Sequence, residues 1–271
     1  MKQIVAALAM HESDLHVVQK SEELRKRTGA KVTYVHAVVS RFLGKNTDIV
    51  KIEEELQNSV KKITDMDNND IVVNISSGWE LILKTVKEKN ADLVVLGNMS
   101  KSHAVLYLGS TVKKVLERIG APVFIARGKP LDNKILIPTD LGDYTMSAST
   151  VKKFLKSNAP VSYVYADTSA FGEIATPYTT LAAYSVEYMQ EETEKQLKEF
   201  RKNRTDAPTV VLEVEESVSE AIKKYAQENE YTLMVLASRN MAGLNPIIFG
   251  STASKIAQIV DANLLITFVE D

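Results

Sequence analysis

No cysteine occurs among the 271 residues, tryptophan appears once, and glycine and proline number only 11 and 7. The missing thiols exclude disulfides, cysteine nucleophiles, iron–sulfur clusters and cysteine-ligated zinc, and they suit a chain living among reduced thiols, so a cytoplasmic address is expected. So little glycine and proline excludes collagen-like and low-complexity chains. An excess of one charge is also lacking: 33 Lys and Arg stand against 35 Asp and Glu, a formal net charge of -2. Such a balance supplies no field for wrapping nucleic acid or for binding an anionic membrane. No apolar run approaches the roughly 18 to 20 residues of a membrane span.

What is present is ordinary globular material, 45% hydrophobic and 25% charged. At roughly 150 residues per domain the length predicts two domains. The chain also repeats itself. Thr33-Tyr34-Val35-His36-Ala37 returns as Ser162-Tyr163-Val164-Tyr165-Ala166, Leu93-Val94-Val95-Leu96 as Leu233-Met234-Val235-Leu236, and Gly109-Ser110-Thr111 as Gly250-Ser251-Thr252. Ile4-Val5-Ala6 aligns with Ile135-Leu136-Ile137, so the apolar start after Lys2 reads as the first strand of a repeat and not as a signal peptide. The order of matches is kept while their offset grows, which places insertions in the second copy. Domains over 1–128 and 133–271 follow, joined by a polar linker around Gly128-Lys129-Pro130.

Within the first copy, strands over Ile4–Leu8, Val32–Val39, Ile71–Ile75, Leu93–Gly97 and Val123–Ala126 alternate with helical spacing over Leu15–Arg27, Ile52–Ile63, Trp79–Lys89 and Ser110–Ile119. That alternation predicts parallel strands joined by right-handed crossovers, and strands apolar on both faces predict helices on both sides. The second copy repeats the scheme with an insert at 172–204. There Tyr178, Leu181, Ser185 and Tyr188 open a helix whose far end is dense in charge. It reads as a solvated helix with one packed face, and a lid or partner surface stays open.

In open parallel sheets ligands bind beyond the carboxyl ends of strands. Asp140 ends the first strand of copy two, and Gly250-Ser251-Thr252 opens a helix after its fourth. Free amides and hydroxyls at a helix start suit phosphate, although Ser251 capping a helix after a turn at Gly250 is the commoner use of such a triplet.

These residues resemble the tandem form of the universal stress protein family, over essentially the whole chain. The resemblance implies two open five-stranded parallel sheets of strand order 3-2-1-4-5, helices on both faces, and an intrachain pseudo-dimer in which the apolar final strands pair. It also implies ATP or another adenine nucleotide, with magnesium as a candidate companion. The family pattern G-x2-G-x9-G-(S/T) falls on Ala237, Asn240, Gly250 and Ser251, followed by Thr252, and the family's strand-end Asp falls on Asp140. Val164 stands near the family's backbone contact with adenine. Two glycines are replaced, and Asn240 is the milder loss because Asn tolerates left-handed backbone; Arg239 could add charge. In copy one the corresponding residues are Gly97, Ser100, Gly109, Ser110 and Thr111, with a spacing one residue shorter and Ala9 in place of the Asp. The nucleotide is therefore expected in copy two.

The remaining motifs are incomplete. Asn98-Met99-Ser100-Lys101-Ser102 looks like the lysine loop of class I aminoacyl-tRNA synthetases, yet His11-Glu12-Ser13-Asp14 does not supply its companion. His11, His16, His36 and His103 complete no zinc set, and His36 aligns with Tyr165 in a strand. No residue set positions a general base. Three readings remain: a stress-response regulator sensing a nucleotide, a scaffold with degenerate sites acting through an unidentified protein client, and a slow nucleotide hydrolase. A homodimer of the tandem chain is also open.

Overall fold

The computed structural model describes residues 1–39, 48–98, 109–131, 133–169, 180–214, 217–240 and 250–270. They form ten strands and eight helices. In the first repeat β1 (Gln3–Leu8), β2 (Lys31–Val38), β3 (Asp70–Ile75), β4 (Leu93–Gly97) and β5 (Val123–Ala126) alternate with α1 (Asp14–Thr28), α2 (Ile49–Thr64), α3 (Gly78–Lys89) and α4 (Ser110–Leu116). The second repeat contributes β6 (Ile135–Thr139), α5 (Ala148–Leu155), β7 (Val161–Asp167), α6 (Thr180–Asn203), β8 (Thr209–Glu213), α7 (Val218–Glu228), β9 (Leu233–Asn240), α8 (Ser251–Ile259) and β10 (Asn263–Glu270).

Local chemistry fixes the ends of these elements. The Asp48 carboxylate accepts from the Val50 and Lys51 amides at the start of α2, and Glu80 reaches back to the Ser77 amide and hydroxyl at the start of α3. Such contacts satisfy amides that the first helical turn leaves unpaired. Helix α1 ends on Gly29 at φ 76, a left-handed conformation that glycine adopts without penalty. Helix α4 stops at Leu116, three residues short of the span read from spacing. Pro122 follows closely and must enter β5 extended.

Two compact units result. Unit 1 comprises 1–129, 238–250 and 263–271, and unit 2 comprises 130–237 and 251–262. Unit 1 orders its strands β3-β2-β1-β4-β5-β10, and in unit 2 the order is β8-β7-β6-β9. The strands of each repeat are parallel. β10 instead runs antiparallel to β5, with Leu264, Leu265 and Ile266 opposite Ile125, Phe124 and Val123. The pairing of final strands on which the pseudo-dimer expectation rested is thus present. Its physical cause is that an apolar strand edge must be covered.

Register confirms the repeat. Tyr34 lies opposite Ala6, and Tyr163 opposite Ile137; Ile4 lies opposite Leu93, and Ile135 opposite Leu233. Each pair joins residues that the sequence alignment had already matched. A slip of one residue would turn every inward side chain outward. Ile4, Leu93, Val94, Ile135 and Leu233 are all completely buried, and each such side chain contributes about 1.5–3 kcal/mol. Helix α6 begins at Thr180, so Tyr178 lies outside the described residues. Tyr188 is exposed while Phe200 is buried, which fits a helix packed at its far end.

The two aligned tyrosines are treated differently. Tyr163 accepts from the Ala148 amide at 2.7 Å and donates to Asp206 Oδ1 at 2.9 Å, while Asp206 Oδ2 takes the Ser149 amide at 2.8 Å. Burial, countered in part by that amide and reinforced by Asp206, pushes the Tyr163 hydroxyl up to about 12. Burial alone would raise Asp206, but the Ser149 amide and the Tyr163 hydroxyl hold it below the usual carboxylate range. Tyr34 is equally buried, yet its hydroxyl has no partner among the described residues. Tyr163→Phe is therefore expected to cost about 1–3 kcal/mol, because the buried Ala148 amide loses its acceptor and Asp206 loses a donor, whereas Tyr34→Phe should be neutral or stabilising. Urea denaturation of the two variants checks this, and equal losses would contradict it.

Candidate functional site

The carboxyl ends of β1, β2 and β4 open into a cavity of about 620 Å³, lined entirely by residues of unit 1. Its walls are aliphatic: Leu8, Val35, Val38, Leu81, Ile82 and Leu96. Its rim carries Ala9, Ser13, Gly97, Gly109, Ser110 and Thr111. The size lies within the range of small-molecule sites.

The loop after β1 is held in an unfavourable conformation. Met10 has φ 53 and is half exposed, and Leu141, at the aligned position after β6, has φ 65. A non-glycine residue there costs on the order of 1–3 kcal/mol and persists only when its surroundings enforce it. In unit 1 the enforcing group is Asp14. Its carboxylate accepts from the Ala9 amide at 2.9 and 3.1 Å and from the His11 amide at 3.2 Å. Burial raises the Asp14 carboxyl above its ordinary value, although the Ala9, His11 and Met10 amides pull the other way. The corresponding loop in unit 2 is tied by Thr139 Oγ1, which accepts from the Leu141 amide at 2.9 Å, and by Asp140, which accepts from the Gly142 amide at 3.0 Å.

His36 faces the same cavity. Its Nδ1 lies 3.0 Å from the Leu8 carbonyl, which can only accept, so Nδ1 carries the proton and Nε2 is left as an acceptor in the neutral ring. Ser13 begins α1 without capping it, and its hydroxyl is buried without a partner among the described residues. Gly97 packs closely: a Cβ there would meet Ser13 Oγ at 3.1 Å and Val17 Cγ2 at 3.2 Å, tighter than ordinary contact. A buried hydroxyl without a partner costs free energy that an incoming donor or acceptor would recover.

The first-repeat residues singled out from sequence, Gly97, Gly109, Ser110 and Thr111, thus border one cavity. Ser100 lies outside the described residues, as does the loop 99–102 with its lysine, and so does His103. In the second repeat Asp140 is exposed just beyond β6, and Ser251 and Thr252 are exposed in the first turn of α8. Ala237 is half buried near the carboxyl end of β9. Val164 is completely buried in mid-strand, paired with Pro138 on one side and Val210 on the other. Gly250 is exposed in open space. Asn240 ends β9, and together with Gly250 it is grouped with unit 1, whereas Asp140, Val164, Ala237, Ser251 and Thr252 belong to unit 2. Residues 241–249 lie outside the described residues.

Sequence reasoning missed Asp14 and the inward face of His36. For Asp14 a signal existed, since an acidic residue directly after Ser at a helix start commonly organises the preceding turn. For His36 none did: alternation in a strand buried on both faces does not say which buried residue borders a cavity.

Parallel strands of order 3-2-1-4, crossover helices and a cavity at the strands' carboxyl ends define an open α/β protein. The model of the Universal stress protein family matches residues 1–127 and again 133–267, and the chain belongs to that family. A curated relative, Universal stress protein A homolog 2 from Coxiella burnetii (strain RSA 493 / Nine Mile phase I), is 27% identical over 140 residues, covering 47% of this chain and 96% of its own. Two solved structures share the fold across both repeats. One, from Archaeoglobus fulgidus DSM 4304, is a universal stress protein with a TM-score of 0.66 and 15% identity, covering 98% of each chain. The other, from Pseudomonas aeruginosa UCBPP-PA14 and described as a member of the same family, has a TM-score of 0.66 and 12% identity over 99% of this chain and 93% of its own. Among the described residues, no helix is long and apolar enough to cross a membrane.

Proposed function

We propose that this chain is a cytoplasmic stress-response regulator of two domains, 1–128 and 133–271, that binds ATP or a related adenine nucleotide, with magnesium as companion. The observation that carries the reading is the strand order shared by the two repeats: in unit 1 it opens a 620 Å³ cavity where open α/β sheets take ligands, bordered by Gly97, Gly109, Ser110 and Thr111, and the nucleotide is assigned to the equivalent strand ends of the second repeat. The second repeat adds the residues suited to ribose and phosphate. Asp140 is an exposed acceptor beyond β6, and Ser251 and Thr252 start a nine-residue helix whose first amides and dipole favour an anion. Ala237, Asn240, Gly250 and the backbone near Val164 complete that assignment.

Thermal unfolding with and without Mg-ATP, on wild type and on Asp140→Ala, tests this. Ligand at a hundred times its dissociation constant stabilises by about 2.7 kcal/mol, which is several degrees. The expected result is a shift that the variant loses. A shift retained in Asp140→Ala moves the nucleotide away from the second repeat. No shift at millimolar Mg-ATP favours the second reading, a scaffold working through a protein client or through its own homodimer. The departures at Ala9, Ala237 and Asn240 give that reading its support. A slow hydrolase has less, because the unit 1 cavity offers Asp14 already engaged by amides and His36 engaged by Leu8.

A further inference from the structure

Helix α6 packs on its own unit through one side. Phe200 is buried, Leu197 and Thr193 are half-buried, and the Thr193 side chain bonds the Tyr165 hydroxyl of β7. The opposite side, at the three- and four-residue spacing of a single helix face, carries Tyr188, Glu191, Glu194, Lys195, Lys198 and Arg201, and every one of them is exposed. Tyr188 is 69% exposed, and a tyrosine so placed offers a partner both an apolar ring and a polar tip.

Charge along this face is sorted: Glu191 and Glu194 come first, then Lys195, Lys198 and Arg201. The helix dipole does not account for the glutamates, because it acts within the first turn and they stand well past the turn that opens at Thr180. Pairing inside the helix does not account for them either. Lys195 Nζ pairs with Glu192 at 3.7 Å, and among the described residues Glu191, Glu194 and Lys198 have no ion-pair partner. The order is instead self-complementary. A second α6 laid antiparallel, with a two-fold axis between Glu194 and Lys195, sets Glu194 against Lys195, Glu191 against Lys198 and Tyr188 against Arg201, each contact made twice. The first two join opposite charges, and the third sets a guanidinium against an aromatic ring. Parallel pairing in register would set like charges level with one another.

We propose that this face of α6 binds the same face of α6 in a second copy of the chain, antiparallel about a two-fold axis. The contact is one helix wide and rich in exposed charge, so the dimer is transient and salt-sensitive. The inference does not depend on the nucleotide reading, and it gives the homodimer alternative a surface.

Sedimentation of the full chain tests it. At ~100 μM protein the wild type should sediment as a mixture of monomer and dimer, with a dissociation constant that rises about tenfold between ~20 and ~300 mM NaCl. Glu191→Lys and Lys198→Glu should each sediment as monomer, because a like-charge contact then occurs twice. An equimolar mixture of the two variants should dimerise again, with a dissociation constant within about threefold of wild type, since every 191–198 contact in the mixed pair joins opposite charges. A role confined to the helix itself would alter thermal unfolding of each variant and would not be restored by mixing. The inference is overturned by a wild type that stays monomeric at low salt, by a dimer that both variants retain, or by variants whose mixture remains monomeric. Each of these results leaves the nucleotide reading as it stands.

Discussion

Replacing Asn263 by alanine is expected to destabilise the protein by roughly 2–6 kcal/mol, since it removes a hydrogen bond from each of two part-buried backbone groups at about 1–3 kcal/mol each. Asn263 is completely buried at the start of β10. Its Oδ1 accepts from the Arg127 amide at 2.8 Å, and its Nδ2 donates to the Lys129 carbonyl at 2.8 Å. One side chain thereby anchors the segment that leaves β5. It also fixes where that segment turns, because Gly128 sits between the two contacts at φ 78 with its Cα face against the His16 ring. Asn263→Asp is the sharper probe. The carboxylate keeps the acceptor for Arg127 but turns an oxygen toward the Lys129 carbonyl, so a buried charge faces another acceptor. Its loss should exceed that of the alanine variant in urea denaturation near neutral pH. If aspartate is tolerated better than alanine, the proposed roles of the two side-chain atoms are wrong.

Phe124→Ala is expected to cost about 3–5 kcal/mol, the usual range for emptying a buried phenylalanine site. Phe124 is completely buried in β5, paired with Val95 of β4 on one side and with Leu265 of β10 on the other. Truncation leaves a cavity beside β5, and the two flanking strands, β4 and β10, cannot both relax into it. The internal control is Ile75→Ala on β3, where the side chain is 44% exposed. That change should stay within about 0.5 kcal/mol. Thermal and urea unfolding of the pair check the contrast. A Phe124→Ala loss no larger than the control would mean that the β5–β10 pairing contributes little to the fold.

Much of the architecture was legible because periodicity and repetition are local signals. Alternating apolar runs placed β1 to β5 within about a residue of their positions. The matched blocks at Tyr34 and Tyr163 foretold the shared register, since equivalent strands must bury equivalent faces. The pairing of the final strands followed from the family resemblance, and the apolar character of Val123–Ala126 and of Leu264 to Ile266 agrees with it. Helix ends were less legible: α4 stops short of its apolar spacing because an approaching proline and the entry into β5 outweigh the local pattern.

The candidate site was legible by type and less so by arrangement. Glycines followed by hydroxyls marked the strand-to-helix turns in both repeats, and Gly97, Gly109, Ser110 and Thr111 do border one cavity. Gly97 was read only as the first glycine of the family pattern, whereas a Cβ there would crowd Ser13 and Val17 at the start of α1. That distinction depends on how closely a helix crosses a strand, which no local pattern encodes.

The sequence by itself determined the two repeats, through spacing along the chain, and the family, through the motifs that resemble it, and the resemblance implied the strand order. Tertiary structure alone decided that β10 belongs to unit 1, that Asn263 holds the Arg127–Lys129 segment, and that Asp14 and His36 meet at one cavity. Those facts depend on contacts between residues far apart in the chain, such as His36 with Leu8, or Asn263 with Arg127 across 136 positions. Side-chain chemistry limits which partners such residues can take, and packing of the sheet selects among them.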